Sequence, residues 1–258
     1  MKTKPIGTCA ICSLDKELTH EHIPPQSVGN TKDVRPYGLF DSLLKNQSYD
    51  DKTGLKWDGG HQNGFKKNTL CESCNPRTGS WYGVAFRDFI DKIRPIVTVH
   101  NAKPGQVAEG IIKDIYPLRI IKQILSMFCS INNLDTGIDD LRKFVYEKEA
   151  SLKLDDMRVY MYIQPYNDVK IIPFQTQIIS STDRSKLECM SEICYSPFGF
   201  ILSCGIPRIS NELVDISEFT EQTYDCKCVW QATIPVKERN LPFVGDFRSK
   251  DEIASRPS

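Results

Sequence analysis

Two short cysteine motifs constrain the fold of this chain more than any other feature. Cys9 and Cys12 form one C-x2-C pair, and Cys71 and Cys74 form a second. Two such pairs are typical of a tetrahedral structural zinc site, because two intervening residues let both thiolates reach one ion from a tight turn. The sequence therefore predicts one shared Zn²⁺, and the long segment between the pairs must itself be structured to bring them together.

The remaining six of the ten cysteines carry less information. No apolar run of signal-peptide length follows the first lysines, so we expect a cytoplasmic protein whose thiols stay reduced. Buried free cysteines are common in such proteins, and we expect these six to be ordinary thiols. A second metal site is the less favoured alternative, and it would use Cys189, Cys194, Cys226 and Cys228.

The hydrophobic pattern predicts an α+β chain in two parts. Residues 1–95 are rich in turn formers and contain both cysteine pairs, whereas residues 96–258 combine helices with a mostly antiparallel sheet. A chain of 258 residues can bury a core without disulfides. The apolar segment 111–131 contains four charged residues, so it predicts an amphipathic helix and no membrane span.

Individual elements can also be predicted. A helix should begin after the second cysteine pair and end at Pro95, because proline disfavours a helical conformation in the residue before it. Two further helices are predicted over 107–132 and 139–148, followed by strands from residue 152 onward. The polar segment 30–63 is predicted to be a long loop with one short helix over 37–45.

A cluster of polar residues lies between the cysteine pairs and just after them. The segment after Leu18 reads Thr-His-Glu-His-Ile-Pro-Pro, and Asn75 directly follows the last cysteine. This order resembles the HNH endonucleases, or ββα-metal nucleases, and in particular a zinc-bearing subgroup with an E-H-x-P-P segment. The resemblance covers residues 9–95. It implies a treble-clef-like ββα-metal nuclease domain with structural zinc, acting on phosphodiester bonds, most often in DNA, in bacterial defence or in mobile elements.

The resemblance also implies roles for single residues. His22 matches the general base, and Glu21 and Asn75 match ligands of a catalytic Mg²⁺ or Mn²⁺. The chemistry agrees, because a neutral histidine can take a proton from water and oxygen ligands suit hard cations. Glu21 stands where relatives usually have Asp or His. The family's middle asparagine, which braces the loop that holds the histidine, best matches Asn68; Asn63 and Asn30 are the alternatives.

Geometry raises one objection to these roles. Neighbouring residues of a regular strand point to opposite faces, so Glu21 and His22 can serve one phosphate only if the strand ends or twists there. The Pro24-Pro25 pair directly afterwards supplies such an interruption.

The charge distribution is compatible with a nucleic-acid site. The whole chain is neutral, which argues against a strongly basic DNA-coating protein, but residues 1–100 carry 14 basic and 11 acidic residues, a local charge of +3. Four cations near the second cysteine pair are predicted to contact phosphates: Lys66, Lys67, Arg77 and Arg87.

Two other functions stay open at this point. The N-terminal part could be a non-catalytic zinc module that binds nucleic acid or a partner protein. Residues 96–258 could serve targeting, regulation or self-association, with a homo-oligomer or a regulatory partner as the consequence.

Overall fold

The fold is α+β with antiparallel sheets, as the sequence predicts. A computed structural model describes residues 4–34, 60–100, 103–132, 138–166, 169–178, 187–241 and 243–255. The short helix predicted over 37–45 lies outside these ranges. Within the described ranges, no helix is both long and apolar enough to cross a membrane.

The N-terminal part consists of a small sheet followed by a long helical stretch. Three antiparallel strands lie in the order β1 (Ile6–Thr8), β2 (Asp15–His22) and β3 (Lys66–Cys71). The helical stretch comprises α1 (Cys74–Thr78), a π-helical turn (Gly79–Gly83) and α2 (Val84–His100). The chain therefore passes directly from β3 through the second cysteine pair into a helix.

The prediction that the first long helix ends at Pro95 is wrong, because α2 continues through Pro95 to His100. Proline removes one hydrogen-bond donor and crowds the preceding turn, which disfavours a helix interior. The apolar side of α2 offsets this cost, because Phe86, Phe89 and Ile93 are fully buried. Tertiary packing of this kind contributes more to helix stability than local propensity does.

The prediction of one helix over 107–132 is also wrong. Residues Val107–Ile115 form strand β4, and only Pro117–Ile131 form a helix, α3. Strand β4 pairs antiparallel with β10 (Cys228–Pro235), and Ile111, expected in a buried helical stripe, is 64% exposed on it. Proline is well tolerated at the first helical position, so Pro117 marks the start of α3.

The C-terminal part contains a second helix and a larger sheet. Helix α4 spans Asp139–Tyr146, close to its predicted range. The five-stranded antiparallel sheet has the order β6-β7-β8-β5-β9. Its strands are β5 (Met157–Ile163), β6 (Val169–Ile178), β7 (Leu187–Tyr195), β8 (Phe198–Cys204) and β9 (Val214–Asp215), and a short helix α5 (Lys250–Ala254) follows β10.

Helix α3 lies at the centre of the hydrophobic core. Every residue of α3 except Arg119 is buried, and one continuous cluster of buried side chains extends from Cys9 to Val236. The core therefore includes side chains from both sides of the predicted boundary at residues 95–96, and α2 itself crosses that boundary. The division into two domains remains a prediction.

A buried ion pair anchors the C-terminal segment to the large sheet. Arg239 and Glu192 are both fully buried, with Nη2 2.6 Å from Oε2 and Nε 2.8 Å from Oε1. The hydroxyl of Tyr162 also donates to Glu192, and Arg239 donates to the carbonyl of Phe243 at 2.6 Å. Each charge is thus compensated by several hydrogen bonds, as burial of an ion pair requires.

Replacing Glu192 by glutamine should lower the free energy of unfolding by about 3–5 kcal/mol, because Arg239 would be left as an uncompensated buried charge. The measurement is urea denaturation at pH 7.5. The matched control is Glu212→Gln, which breaks the exposed pair of Glu212 with Lys237 and should cost no more than about 1 kcal/mol. Equal losses in the two variants would contradict the prediction.

Candidate functional site

The four cysteines of the two C-x2-C pairs form one cluster. The sulfur atoms of Cys9, Cys12, Cys71 and Cys74 all lie within 4.8 Å of one another. The first pair lies in the turn between β1 and β2, the third cysteine ends β3, and the fourth begins α1. Among the residues that the structure describes, this is the one group of three or more His, Cys, Asp or Glu side chains that could hold a metal ion.

The surroundings of the cluster favour a thiolate at Cys9. The backbone N–H of Cys71 donates to Sγ of Cys9 at 3.3 Å, and Ser73 Oγ lies 3.1 Å from Sγ of Cys71. A hydrogen bond with Cys74 lowers the pKa of Cys9 to about 4, and the same contact raises the pKa of Cys74. Thiolates are the metal-binding form of cysteine, so the cluster can hold a metal ion such as Zn²⁺.

The alternative second cysteine site is not formed in the described part of the chain. Cys194 is buried in a small cluster that contains Tyr162, and Cys189 lies opposite Cys204 in the β7–β8 pairing. Cys226 and Cys228 lie at the start of β10, where both are half-buried. These thiols are distributed over separate elements, as expected for ordinary cysteines.

A cavity of about 310 Å³ is lined in part by Asn75, the residue that directly follows Cys74 of the cluster. The end of β2, the start of α1, the π-helical turn, α2 and α3 each contribute to its lining. Three residues predicted for catalysis line it together, namely Glu21, His22 and Asn75, and so does the predicted phosphate contact Arg87.

Glu21 and His22 are neighbours in β2, yet both line the cavity. An irregularity in the β2–β3 pairing and the end of β2 explain this. The β2–β3 register shifts between Thr19 and His20, so that Thr69 is the extra residue on β3. Such a bulge bends a strand and changes its twist. Strand β2 then ends at His22, directly before the two prolines, where the sequence places an interruption.

Glu21 is a buried carboxylate held by hydroxyl groups. It is 6% exposed, and its Oε2 accepts hydrogen bonds from Ser130 at 2.6 Å and Thr69 at 3.3 Å. Burial raises the pKa of Glu21 to about 7, although these two hydrogen bonds act in the opposite direction. A carboxylate in this environment is stabilised by any cation that binds beside it.

Hydrogen bonds donated by its side-chain amide hold Asn75 in place. Its Nδ2 donates to Thr19 Oγ1 at 3.0 Å and to the carbonyl of His20 at 2.9 Å. Both bonds use the amide nitrogen, so the amide oxygen is the atom that Asn75 has left to offer as a ligand. The contacts also tie the first turn of α1 to β2.

His22 is a half-buried histidine with a lowered pKa. Burial lowers its pKa, and the nearby charge of Lys66 lowers it further, whereas a hydrogen bond to the Asn63 backbone acts in the opposite direction. The imidazole is therefore neutral at physiological pH. Its Nε2 is buried and has no hydrogen-bond partner within the described part of the protein.

Asn30 braces the loop that follows His22. Its side chain is fully buried, donates to the carbonyls of Pro24 at 2.6 Å and Phe65 at 3.0 Å, and accepts from the N–H of Phe65 at 2.9 Å. Gly64 has φ +97°, and a Cβ there would lie 2.1 Å from the carbonyl oxygen of Asn30. The favoured residue, Asn68, is instead exposed on β3 opposite His20.

The four predicted phosphate contacts differ in their positions. Arg87 is exposed and is the one of the four that lines the cavity. Lys66 and Lys67 lie on β3 opposite His22 and Glu21. Arg77 is half-buried and packs over two aromatic rings, Trp81 at 4.5 Å and Tyr146 at 4.9 Å.

Two residues of the site, Gln123 and Ser130, were not found from the sequence. Both lie on α3, outside the region of resemblance, where Ser130 contacts Glu21 and Gln123 lines the cavity. The sequence signal that could have identified them is their spacing, because polar residues seven positions apart on an apolar helix lie on the same face.

Replacing Glu21 by glutamine should stabilise the protein above pH 7 when no divalent cation is added. The folded-state pKa of about 7 exceeds the ordinary 4.5, so the contribution of Glu21 to stability is complete below pH 4.5 and declines as the pH rises to about 7. The full decline corresponds to about 3 kcal/mol. Urea denaturation of both proteins between pH 5.5 and 8.5 tests this, since a metal ion held by the cysteine cluster would contribute equally to both proteins. A pH-independent difference would contradict the prediction.

The comparisons with known proteins add no relative from which a function could be transferred. No protein-family model, no curated protein and no solved structure matches the chain.

Proposed function

We propose that this protein is a metal-dependent endonuclease of the HNH type that hydrolyses phosphodiester bonds, with DNA as the expected substrate. The observation that supports this proposal is the convergence of Glu21, His22 and Asn75 on one cavity, where Asn75 directly follows Cys74 of the four-cysteine cluster. These residue types together match the needs of the reaction, which are an activated water and stabilisation of charge at the phosphate.

The donor atoms at the cavity fit a hard divalent cation. Glu21 contributes a carboxylate whose raised pKa reflects a buried negative charge without a cation beside it, and Asn75 contributes an amide oxygen. Oxygen donors of this kind suit Mg²⁺ or Mn²⁺. When bound, such an ion would stabilise the charge that develops on the phosphate and on the leaving oxygen.

His22 supplies the base in this proposal. Its lowered pKa keeps the ring neutral, and the unpartnered Nε2 is the atom that can accept a proton from an attacking water. Asn30 holds the loop behind His22 in place through three hydrogen bonds to Pro24 and Phe65. The ring is thereby positioned before substrate binds, which lowers the cost of reaching the reactive geometry.

The cysteine cluster would serve as a structural zinc frame of the treble-clef kind. The first pair lies in the β1–β2 turn and the second spans the junction of β3 and α1. A zinc ion bound by all four thiolates would fix β2 against α1, and so Glu21 and His22 against Asn75. Arg87 at the cavity then provides positive charge for the phosphate backbone.

A plasmid assay tests the proposal. Supercoiled DNA incubated with the pure zinc-bound protein should become nicked or linear with Mg²⁺ or Mn²⁺, and excess EDTA should stop the reaction. A structured RNA of similar length, tested in parallel, distinguishes the two kinds of substrate. Binding of nucleic acid without cleavage in any of these conditions would favour the alternative of a non-catalytic zinc module.

A further inference from the structure

Gln123 is a buried polar residue whose side-chain oxygen is unpaired. The residue is 3% exposed and lines the cavity, and its Oε1 has no hydrogen-bond partner among the described residues. The neighbouring backbone is that of Gly83, where a Cβ would lie 3.6 Å from Oε1. Burying an unpaired amide atom costs free energy, so such a group beside a cavity calls for a partner, which can be a water molecule or a polar group of a ligand.

The backbone beside Gln123 has an unusual form. Residues Gly79–Gly83 form a π-helical turn between α1 and α2, and both of these glycines line the cavity. A Cβ added at Gly79 would meet nothing within 4 Å, so the space beside it is open. Single π-helical turns are rare and frequently occur at functional sites. The turn and Gln123 both line the cavity, and we call the part of the cavity beside them the glutamine subsite.

The glutamine subsite is separate from the catalytic residues. Gln123 and Ser130 lie seven residues apart on α3, which corresponds to roughly 10 Å along the helix axis. Ser130 is the residue that contacts Glu21, so Glu21 lies toward the other end of this helix. A group bound at Gln123 is therefore not the phosphate beside Glu21 and His22 but a neighbouring part of the same strand.

We propose that the glutamine subsite binds a nucleobase next to the phosphate that is cut, and that Gln123 gives the enzyme a base preference there. This inference rests on the proposed nuclease function. A phosphate is a poor occupant, because its charge would be buried against a neutral amide, whereas Arg87 offers a charged partner for phosphates at the same cavity. An amide both donates and accepts, which matches the edge of a base, and adenine pairs best with glutamine.

The test is cleavage of a duplex library in which every position is randomised, with Mg²⁺ or Mn²⁺ and the full-length zinc-bound protein. Sequencing of the cut ends gives the base frequencies on each side of the cleaved bond. We expect a preference at one flanking position in the wild type, with adenine favoured. The preference should fall by about fivefold or more in Gln123→Leu, which keeps the size of the side chain but removes both polar atoms.

A second variant and two controls separate recognition from folding. Gly79 has helical dihedral angles (φ −59°, ψ −44°), so Gly79→Ala should fold normally while its methyl group enters the subsite and alters the same base preference. Gln123→Leu should be at least as stable as the wild type, because it removes an unpaired buried group. The matched control is Gln231→Leu on the exposed side of β10, which should leave the preference unchanged.

The outcomes distinguish this inference from the proposed function. Cleavage by the wild type with a preference that both Gln123→Leu and Gly79→Ala retain would overturn the inference and leave the nuclease function standing. Cleavage without any base preference would overturn it as well. A wild-type protein that cuts no nucleic acid would overturn the nuclease function and, with it, the glutamine subsite.

Discussion

Replacing His22 by alanine should slow DNA cleavage by about a hundredfold to ten-thousandfold, which is the usual contribution of a positioned general base. The variant should remain folded, because Nε2 of His22 has no partner among the described residues, and the backbone of Asn63, which the ring also contacts, belongs to an exposed residue where water can replace that bond. Zinc content should also be unchanged, since the four cysteines form the metal cluster without any histidine. Loss of activity with a retained fold distinguishes a catalytic residue from a structural one.

Initial rates of plasmid cleavage at saturating Mg²⁺ measure this effect. The control is His61→Ala, which removes a half-buried histidine that lies outside the cavity lining and packs at a tilt against Phe65, with ring centroids 4.9 Å apart. It should retain most of the wild-type rate. Added imidazole should restore part of the activity of His22→Ala, because the truncated side chain leaves room for a free base. Wild-type rates in His22→Ala would rule out the proposed mechanism.

The features that the sequence predicts correctly are local ones. The spacing of each C-x2-C pair is visible within four consecutive residues, and two such pairs predict a shared metal site. The four sulfur atoms do converge in the structure. The strands after residue 152 are also correctly anticipated, since alternation and β-branched residues are visible within each segment.

The features that the sequence does not predict depend on distant parts of the chain. Residues Val107–Ile115 become a strand because β10 pairs with them from more than a hundred residues away. The apolar residues of this segment fit a helical stripe nearly as well as an alternating strand, and the partner strand decides between the two. Local propensity is a weak guide where tertiary pairing of this kind is available.

The candidate site divides in the same way. Glu21, His22 and Asn75 come from short motifs and line one cavity, whereas Ser130 reaches Glu21 from a helix 109 residues further along the chain. Asn30 could not be preferred over Asn68 from sequence, because bracing depends on its closeness to Phe65, which only the folded loop reveals.

Replacing Cys74 by serine should release the zinc and cost several kcal/mol of stability. Structural zinc contributes about 10–16 kcal/mol in zinc-finger peptides, and serine is a poor substitute for a thiolate ligand. The sheet that the ion would hold has three strands, one of only three residues, and so small a sheet has little stability of its own. Metal analysis and thermal unfolding of the purified variant provide the measurements.

The matched control is Cys204→Ser, which replaces an exposed thiol on β8 away from the cluster. It should keep one zinc per chain and the wild-type unfolding temperature. Cys74→Ser should also lose cleavage, because Cys74 begins the helix that carries Asn75, and Asn75 connects that helix to β2 through Thr19 and His20. Full zinc content and stability in Cys74→Ser would show that binding of the ion does not require all four cysteines, and would contradict the prediction.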